Sequence, residues 1–378
     1  MTNDKIRRVT MPKWGLSMQS GKVTEWLVSE GDEVTEGQEF AEIDTDKIAA
    51  ALESTCSGVV RALVVEVNVD VPVGGTIVVV APADVPQEEI DAVVAEAKEQ
   101  MAAGPIEDQD GPTVAEVDID GRSISYAVLG DTESKATPVV FVHGYGGDKN
   151  SWLFVQEPIS ADRATYALDL PGHGASSKVV GDGSVTALAS SLVGFVNELG
   201  LTRVHLVGHS MGAAVATVVA ADPRVAGKVA SLTLISPAGY GPDVNAGYLR
   251  GFAEAQTRRE LRPHLQQLFA DQSLVNRQLI DDLLKYKRLD GVDAALASIV
   301  ASLLDGEVSA VDVTAEQASF GGTTVAVSGA EDKVVPASNA SSLEGKVSVH
   351  TVDGAGHMAH MEKPKTVIAA IKEAIGAA

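Results

Sequence analysis

The sequence predicts two domains of different class: a small all-β sandwich or barrel, then an α/β domain with a mostly parallel sheet and helices on both faces. Three observations carry this. Residues 1–81 hold short β-rich runs between Gly and Asp turns, and the runs repeat. GKVTEWLV at 21–28 matches GVVRALVV at 58–65, and Val34 and Gly37 fall on Val71 and Gly74 at the same offset. Residues 113–378 instead alternate strand-like with helix-like runs. Within them, RVHLVGHSMGAAVATVV at 203–219 sets G-x-S-x-G (Gly208, His209, Ser210, Met211, Gly212) between a short apolar strand and a helix rich in small residues. A length of 378 residues suits two domains.

Composition excludes several classes. A formal net charge of −23 disfavours nucleic acid and anionic membrane as partners. Cys56 is the single cysteine, so the chain cannot form an intrachain disulfide or a thiolate metal site, which fits a reducing compartment. The opening MTNDKIRRVT lacks the apolar core of a signal peptide, and no apolar run approaches a membrane span. The expected address is the cytoplasm. No metal cluster is visible, and no metal is expected.

In the first domain, EIDTDKIA at 42–49 reads as a hairpin whose Thr-Asp-Lys turn carries Lys47 at its tip, with Asp44 and Asp46 beside it. This stretch, with MPKWGLSMQSGKVTEWLVSEGDEVTEGQ before it and SGVV and VGGTI after it, resembles the lipoyl domains of 2-oxo-acid dehydrogenase complexes over residues 7–81. The resemblance implies that Lys47 carries lipoate. The related biotin carriers have Met on both sides of their lysine; here Asp46 and Ile48 stand there, which favours lipoate over biotin.

Residues 82–112 are acidic, Ala-rich and punctuated by Pro and Gly, as linkers are. Within them Ile90, Val93, Val94, Ala97 and Met101 follow helical spacing, and Pro86 stands where a helix could start. An amphipathic helix lying on a neighbouring surface is expected rather than free coil. As a flexible tether the segment would span about 30 Å root-mean-square, against a radius of gyration of about 18 Å for the domain after it. The pattern of a small subunit-binding domain is not found here.

From residue 114 the chain opens with an antiparallel pair, AEVDID then RSISYAVLG, and continues through TPVVFVHG, ATYALDLPG, RVHLVG, VASLTLISPA, TTVAVSGA and KVSVHTVDG, with helical runs between them. The segment from Val114 onward resembles the α/β-hydrolase fold. That resemblance implies a nucleophile, acid and base in the order Ser210, Asp332, His357. Asp332 lies in GAEDKVVP after the strand TTVAVSG; His357 lies in GAGH after SVHTV, with Glu362 and Pro364 following. His357 would take the Ser210 proton, and Asp332 would orient the imidazole and stabilise its charged form. His360 is the rival base and Glu331 the rival acid. An oxyanion needs two backbone donors: Met211, after the serine, would supply one, and for the other, in HGYGG at 143–147, the resemblance points to the amide of Tyr145. The DLPGHG turn at 169–174 is read as structural, as are His143, His173 and His209.

Residues 242–312 interrupt the alternation with helices and form the expected lid. It holds Arg258, Arg259 and Arg262, then Lys285, Lys287 and Arg288, in an acidic protein. One reading pairs these cations with Glu260 and nearby acids. The other has Arg258, Arg259 and Arg262 binding the phosphates of coenzyme A.

Joined in one chain, the two halves resemble the dihydrolipoamide acetyltransferase component of acetoin dehydrogenase complexes. The chain ends in KEAIGAA, without the His-x-x-x-Asp-Gly ending of ordinary 2-oxo-acid complexes. The resemblance implies transfer of acetyl from lipoyl-Lys47 to coenzyme A in acetoin catabolism. It also implies two partners, a thiamine-diphosphate-dependent acetoin-cleaving component and a dihydrolipoamide dehydrogenase, and the chain is expected to be a homo-oligomer. From the residues alone two alternatives stay open: an ester or thioester hydrolase that uses its lipoyl domain for docking, and a carrier scaffold with an idle second domain. Acyl-Ser210 and direct attack by a coenzyme A thiolate also both stand.

Overall fold

The computed structural model describes residues 5–12, 18, 20–45, 49–102, 112–343 and 347–378. The chain divides into two compact units, Met1–Gly111 and Pro112–Ala378.

The internal repeat of the first unit becomes a pair of sheets. Its strands are β1 (Arg7–Thr10), β2 (Ser20–Trp26), β3 (Glu33–Val34), β4 (Glu39–Thr45), β5 (Ala49–Glu53), β6 (Gly58–Leu63), β7 (Asp70–Pro72) and β8 (Thr76–Ala81). They form two four-stranded sheets, ordered β1-β8-β6-β3 and β5-β4-β2-β7. The repeat maps one order onto the other, and the register follows. Glu33 pairs Val59 as Asp70 pairs Lys22, and Val60 pairs Val80 as Val23 pairs Ile43.

One thing breaks the symmetry. Helix α1 (Gln87–Ala102) lays Ile90, Val93 and Ala97 on Ala62, Val64, Val79 and Ala81. In the other copy, Glu42 and Asp44 stand where β8 has Val79 and Ala81, and Asp44 is exposed. The helix start is fixed by Arg61, whose guanidinium donates to Pro82 O and Val85 O at 3.0 Å and to Gln87 Oε1 at 3.0 Å. Most of the segment after residue 86 is therefore a helix docked on the first unit, and a random-coil span does not describe it.

The second unit is built on an eight-stranded sheet, with strands β9 (Thr113–Ile119), β10 (Arg122–Leu129), β11 (Val139–Val142), β12 (Thr165–Leu168), β13 (Val204–His209) and β14 (Val229–Ile235) in its first part. After a hairpin of β15 (Leu304–Asp305) and β16 (Val308–Ser309), β17 (Thr323–Gly329) and β18 (Ser348–Val352) complete it. The sheet order is β18-β17-β14-β13-β11-β12-β10-β9, parallel from β18 to β12 and antiparallel at β10 and β9. The β9–β10 hairpin closes through Asp120 and Gly121, both at positive φ, the geometry of a two-residue turn that matches strand twist.

Strand β11 shows why the sheet needs cover on both faces: all four of its residues are buried. Val140 and Val142 face a core shared with helices α3 (Val185–Glu198) and α4 (Met211–Ala221). Val139 and Phe141 face the opposite core, with α2 (Leu153–Ser160) and, at the end of the chain, α11 (Pro364–Gly376). Between β14 and β15 come α5 (Ala246–Glu254), α6 (Arg258–Leu265), α7 (Arg277–Lys287) and α8 (Val292–Leu303), the helical insertion expected at 242–312. Short helices α9 (Thr314–Ser319) and α10 (Ala359–Glu362) complete the unit. Among the described residues, no helix is long and apolar enough to cross a membrane.

Candidate active site

Ser210 sits at the sharpest turn of the molecule. It follows β13 and caps α4, with φ 52° and ψ −120°, a backbone state that costs a non-glycine residue about 1–3 kcal/mol. The neighbours explain how the turn survives. A Cβ on Gly208 would lie 2.5 Å from Gly212 O, and one on Gly212 would lie 2.2 Å from Val142 O. Neither position has room for a side chain. The Ser210 amide donates to Ile235 O at 2.9 Å, and its carbonyl accepts from Ala213 at 3.0 Å. The side chain is thus held at the C-terminal edge of the sheet, where open α/β sheets gather their ligands.

The HGYGG segment leaves β11 beside this serine. A Cβ on Gly144 would meet Ser210 Cβ at 3.0 Å, so the approach requires glycine. Two histidines fix the loop. His143 Nε2 accepts from the Leu170 amide at 2.9 Å, which leaves Nδ1 protonated to donate to Gly144 O at 2.8 Å. His173 Nε2 accepts from the Gly146 amide at 3.1 Å, and its Nδ1 donates to Pro171 O at 3.1 Å. Burial holds both imidazoles below the usual histidine range, so they stay neutral and each can accept with one nitrogen while donating with the other. Asp169 holds the DLPGHG turn: its buried carboxylate accepts from Lys149 Nζ at 2.6 Å and from the amides of Lys149 and Ala175. Met211 opens α4, and its amide has no acceptor within the helix.

His357 and Asp332 meet. Asp332 follows β17 and His357 follows β18, and Nδ1 donates to Oδ2 at 2.8 Å with both side chains buried. The other carboxylate oxygen accepts from the amides of Val334 at 2.8 Å and Val335 at 2.9 Å, so Asp332 is fixed on both sides. The rivals lie elsewhere. Glu331 accepts from the amides of Gly354 and Ala355 and braces the loop that bears His357. His360 is buried against the rings of Trp152 and His209, with neither ring nitrogen hydrogen-bonded, and burial pushes it down to about 3. His209 supports His357 from below, donating from Nε2 to the His357 carbonyl at 2.9 Å.

Two supports were not legible in the sequence. Glu362 accepts from the Gly356 amide at 2.7 Å with one oxygen and from the Ala270 and Asp271 amides at 2.8 and 3.2 Å with the other, which ties the histidine loop to the helical insertion. Lys287 is fully buried and donates to Phe252 O and Ala253 O at 2.7 and 2.8 Å. It fastens α7 to the end of α5, whose Phe252 ring lies against Tyr145 and Gly146. Both contacts join residues remote in sequence, and no local pattern announces them.

The basic residues of the insertion separate. Arg258 and Arg259 begin α6 and share a cleft with Lys285 of α7 and Arg288, which caps the end of α7. Arg258 pairs with Asp281 and not with Glu260. Glu260 instead closes a capping box with Thr257. Arg262 donates to Val275 O and lies outside the lining of that cleft. In the first unit, β4 and β5 pair as far as Asp44 and Ala49; Lys47, with Asp46 and Ile48, lies outside the described residues. Among the described residues no group of His, Cys, Asp and Glu could hold a metal ion.

A strained serine above a parallel sheet, with a buried His–Asp pair after β17 and β18 of the same sheet, places the second unit in the α/β-hydrolase class. Residues 139–370 match the alpha/beta hydrolase family, and residues 7–80 match a biotin/lipoyl model described as "Biotin-requiring enzyme". A solved membrane phospholipase A, a bacterial virulence factor, superposes with a TM-score of 0.61 at 25% identity, over 76% of this chain and 93% of its own. Over the full length, the chain is 40% identical to the dihydrolipoyllysine-residue acetyltransferase component of the acetoin cleaving system of Pseudomonas putida, covering 96% of each. It is equally 40% identical to the protein of that name from Cupriavidus necator, covering 97% of each. The chain belongs to this family of lipoyl-bearing acetyltransferase components with an α/β-hydrolase-type domain.

Proposed function

We propose that the chain moves an acetyl group from a lipoyl thioester to coenzyme A, with Ser210 as nucleophile, His357 as base and acid, and Asp332 as orienting carboxylate. The observation that carries this is the His357–Asp332 pair, formed at 2.8 Å in the same unit as the Ser210 elbow, in a chain that also bears a lipoyl-type unit. The lipoyl frame supports Lys47 as the attachment point: the strands on either side of 46–48 pair in register, and lysine supplies the amine that an amide link needs. Lipoate on Lys47, when bound, supplies a dithiol on which an acyl group is carried as a thioester.

Ser210 Oγ attacks the carbonyl carbon of the acyl thioester as its proton passes to His357 Nε2. The oxyanion that develops is met by the amides of Tyr145 and Met211, donors already fixed by the HGYGG loop and the start of α4; losing one such donor costs about 3 kcal/mol. The carbon–sulfur bond breaks, the thiol leaves with the proton from His357, and Ser210 carries the acetyl group. The thiol of coenzyme A gives its proton to His357 and its sulfur attacks the acetyl carbon; the proton then returns to Ser210 Oγ. Throughout, Asp332 holds Nδ1–H and so fixes the tautomer that leaves Nε2 able to accept.

The names of the relatives support a place in a multi-component acetoin-cleaving system. The partners of this proposal are a thiamine-diphosphate-dependent component that cleaves acetoin and a dihydrolipoamide dehydrogenase, working in the cytoplasm. The test supplies acetyl-dihydrolipoamide with and without coenzyme A and measures acetyl-CoA and free acetate. Acetyl-CoA as the main product, lost in Ser210→Ala, is expected. Acetate released at the same rate whether or not coenzyme A is present would overturn the proposal in favour of a hydrolase.

A further inference from the structure

The cleft between the start of α6 and the outer face of α7 has a volume of about 500 Å³, the size of a small-molecule site. Four cationic side chains line it, Arg258, Arg259, Lys285 and Arg288, against one carboxylate, Asp281. On α7 the lining positions 281, 285 and 288 share one helical face, so the cations converge rather than scatter. Arg258 is committed to Asp281 through a bidentate pair, and Lys285 lies 3.2 Å from Asp282. Among the described residues, neither Arg259 nor Arg288 has a salt-bridge partner. A protein of net charge −23 repels polyanions at long range, so a local excess of unpaired arginine is where such a ligand can be held.

The cleft is also joined to the reaction centre. Gln256 forms part of its wall, and Phe252, just before it in α5, packs on Gly146 and Tyr145 in the loop proposed to bind the oxyanion. Buried Lys287 holds α7 to the carbonyls at that same end of α5. The wall of the cleft and the loop beside Ser210 therefore share one rigid support.

We propose that this cleft binds the phosphorylated nucleotide end of the thiol acceptor, with Arg259 and Arg288 as the principal phosphate ligands, Lys285 beside them, and Arg262 taking no part. The inference rests on the reading of the chain as an acyltransferase to coenzyme A, and it narrows the basic residues of the insertion to those that converge. A guanidinium presents two parallel N–H donors to a phosphate, which suits arginine to this position.

The test compares wild type with Arg259→Ala/Arg288→Ala, both positions being exposed and remote from the core. Adenosine 3′,5′-bisphosphate is titrated calorimetrically into each protein, and acetyl transfer is measured with coenzyme A and with pantetheine, a thiol lacking the phosphates. The expected result is bisphosphate binding at least about 10-fold weaker in the double variant, partly restored in Arg259→Lys/Arg288→Lys. The wild-type preference for coenzyme A over pantetheine, read as a ratio of KM values, should shrink by a similar factor. Equal bisphosphate binding by wild type and double variant overturns the site. Inorganic phosphate competing as well as the bisphosphate overturns the nucleotide assignment. A wild-type protein that binds the bisphosphate here but makes no acetyl-CoA refutes the acyltransferase reading while leaving the cleft in place.

Discussion

The two units solve opposite problems. In the first, β4, the strand that precedes the proposed attachment residue Lys47 in sequence, carries Glu42 and Asp44, and a docked helix covers the matching positions of the other copy. Ile90 and Val93 sit over Val79 and Ala81, so one half of the repeat is closed by apolar contact, whereas Glu42 and Asp44 hold the matching positions on β4. In the second unit, Ser210, His357 and Asp332 are nearly inaccessible, and buried histidines hold the backbone around them. A carrier must be reachable by several partners and needs little shape of its own. A site that stabilises a charged transition state needs dipoles fixed in advance, and buried hydrogen bonds fix them.

That contrast can be broken at either end. The largest effect is expected in Lys47→Arg, which should abolish acetyl transfer from the protein-borne group while leaving turnover of free acetyl-dihydrolipoamide intact; loss of both would deny that the units divide the work. Ser210→Ala should lower turnover of the free substrate by at least about 10⁴-fold, and Asp332→Asn by about 10⁴-fold because the imidazole is left in the wrong tautomer. Circular dichroism of both variants should match wild type.

Glu362→Gln sharpens the comparison more finely. It sets an amide NH₂ against one of three backbone donors, so it should cost about 1–3 kcal/mol of stability. Turnover should fall about 10-fold as the His357 loop loosens from Ala270. An unchanged rate in a stable protein would show that the brace does not position His357.

The smallest effect concerns pH. Burial lowers the affinity of His143, His173 and His209 for protons, and takes His205 to about 4 and His360 to about 3. The unfolded chain binds protons at these positions as pH falls through about 6.5, and the folded chain does not. The stability they contribute is therefore fully present above that pH and is lost as pH falls toward 4 and below. Each histidine held neutral contributes a slope of up to about 1.4 kcal/mol per pH unit. Thermal unfolding of the second unit between pH 7.5 and about 5 should show the decline. His360→Phe, which keeps a ring against Trp152 and removes two unpartnered nitrogens, should reduce the slope by one histidine's share.

Much of the fold was legible because local pattern and architecture coincide. The repeat of 21–28 at 58–65 became two sheets with the same strand order and register, and the alternation from residue 114 became a parallel sheet with an antiparallel edge. The serine turn was legible because only glycine fits at 208 and 212. Other features depend on contacts that spacing does not encode. Arg258, Arg259 and Arg262 read as one cluster, yet Arg262 turns to Val275 O, and Arg258 finds Asp281 on another helix rather than nearby Glu260. Glu362 and Lys287 join segments far apart in the chain, and only the packed insertion gives them a role. The linker was legible as helical at Ile90, Val93 and Ala97, but not the surface it would dock on.

The most direct measurement is a single-turnover quench. Acetyl-dihydrolipoamide is mixed with the protein in the absence of coenzyme A, and the peptide containing Ser210 is weighed by mass spectrometry. The account predicts one acetyl group on Ser210 within the first turnover, discharged to acetyl-CoA when coenzyme A is added and absent in Ser210→Ala. An unmodified serine, together with acetyl transfer that survives Ser210→Ala, would contradict it.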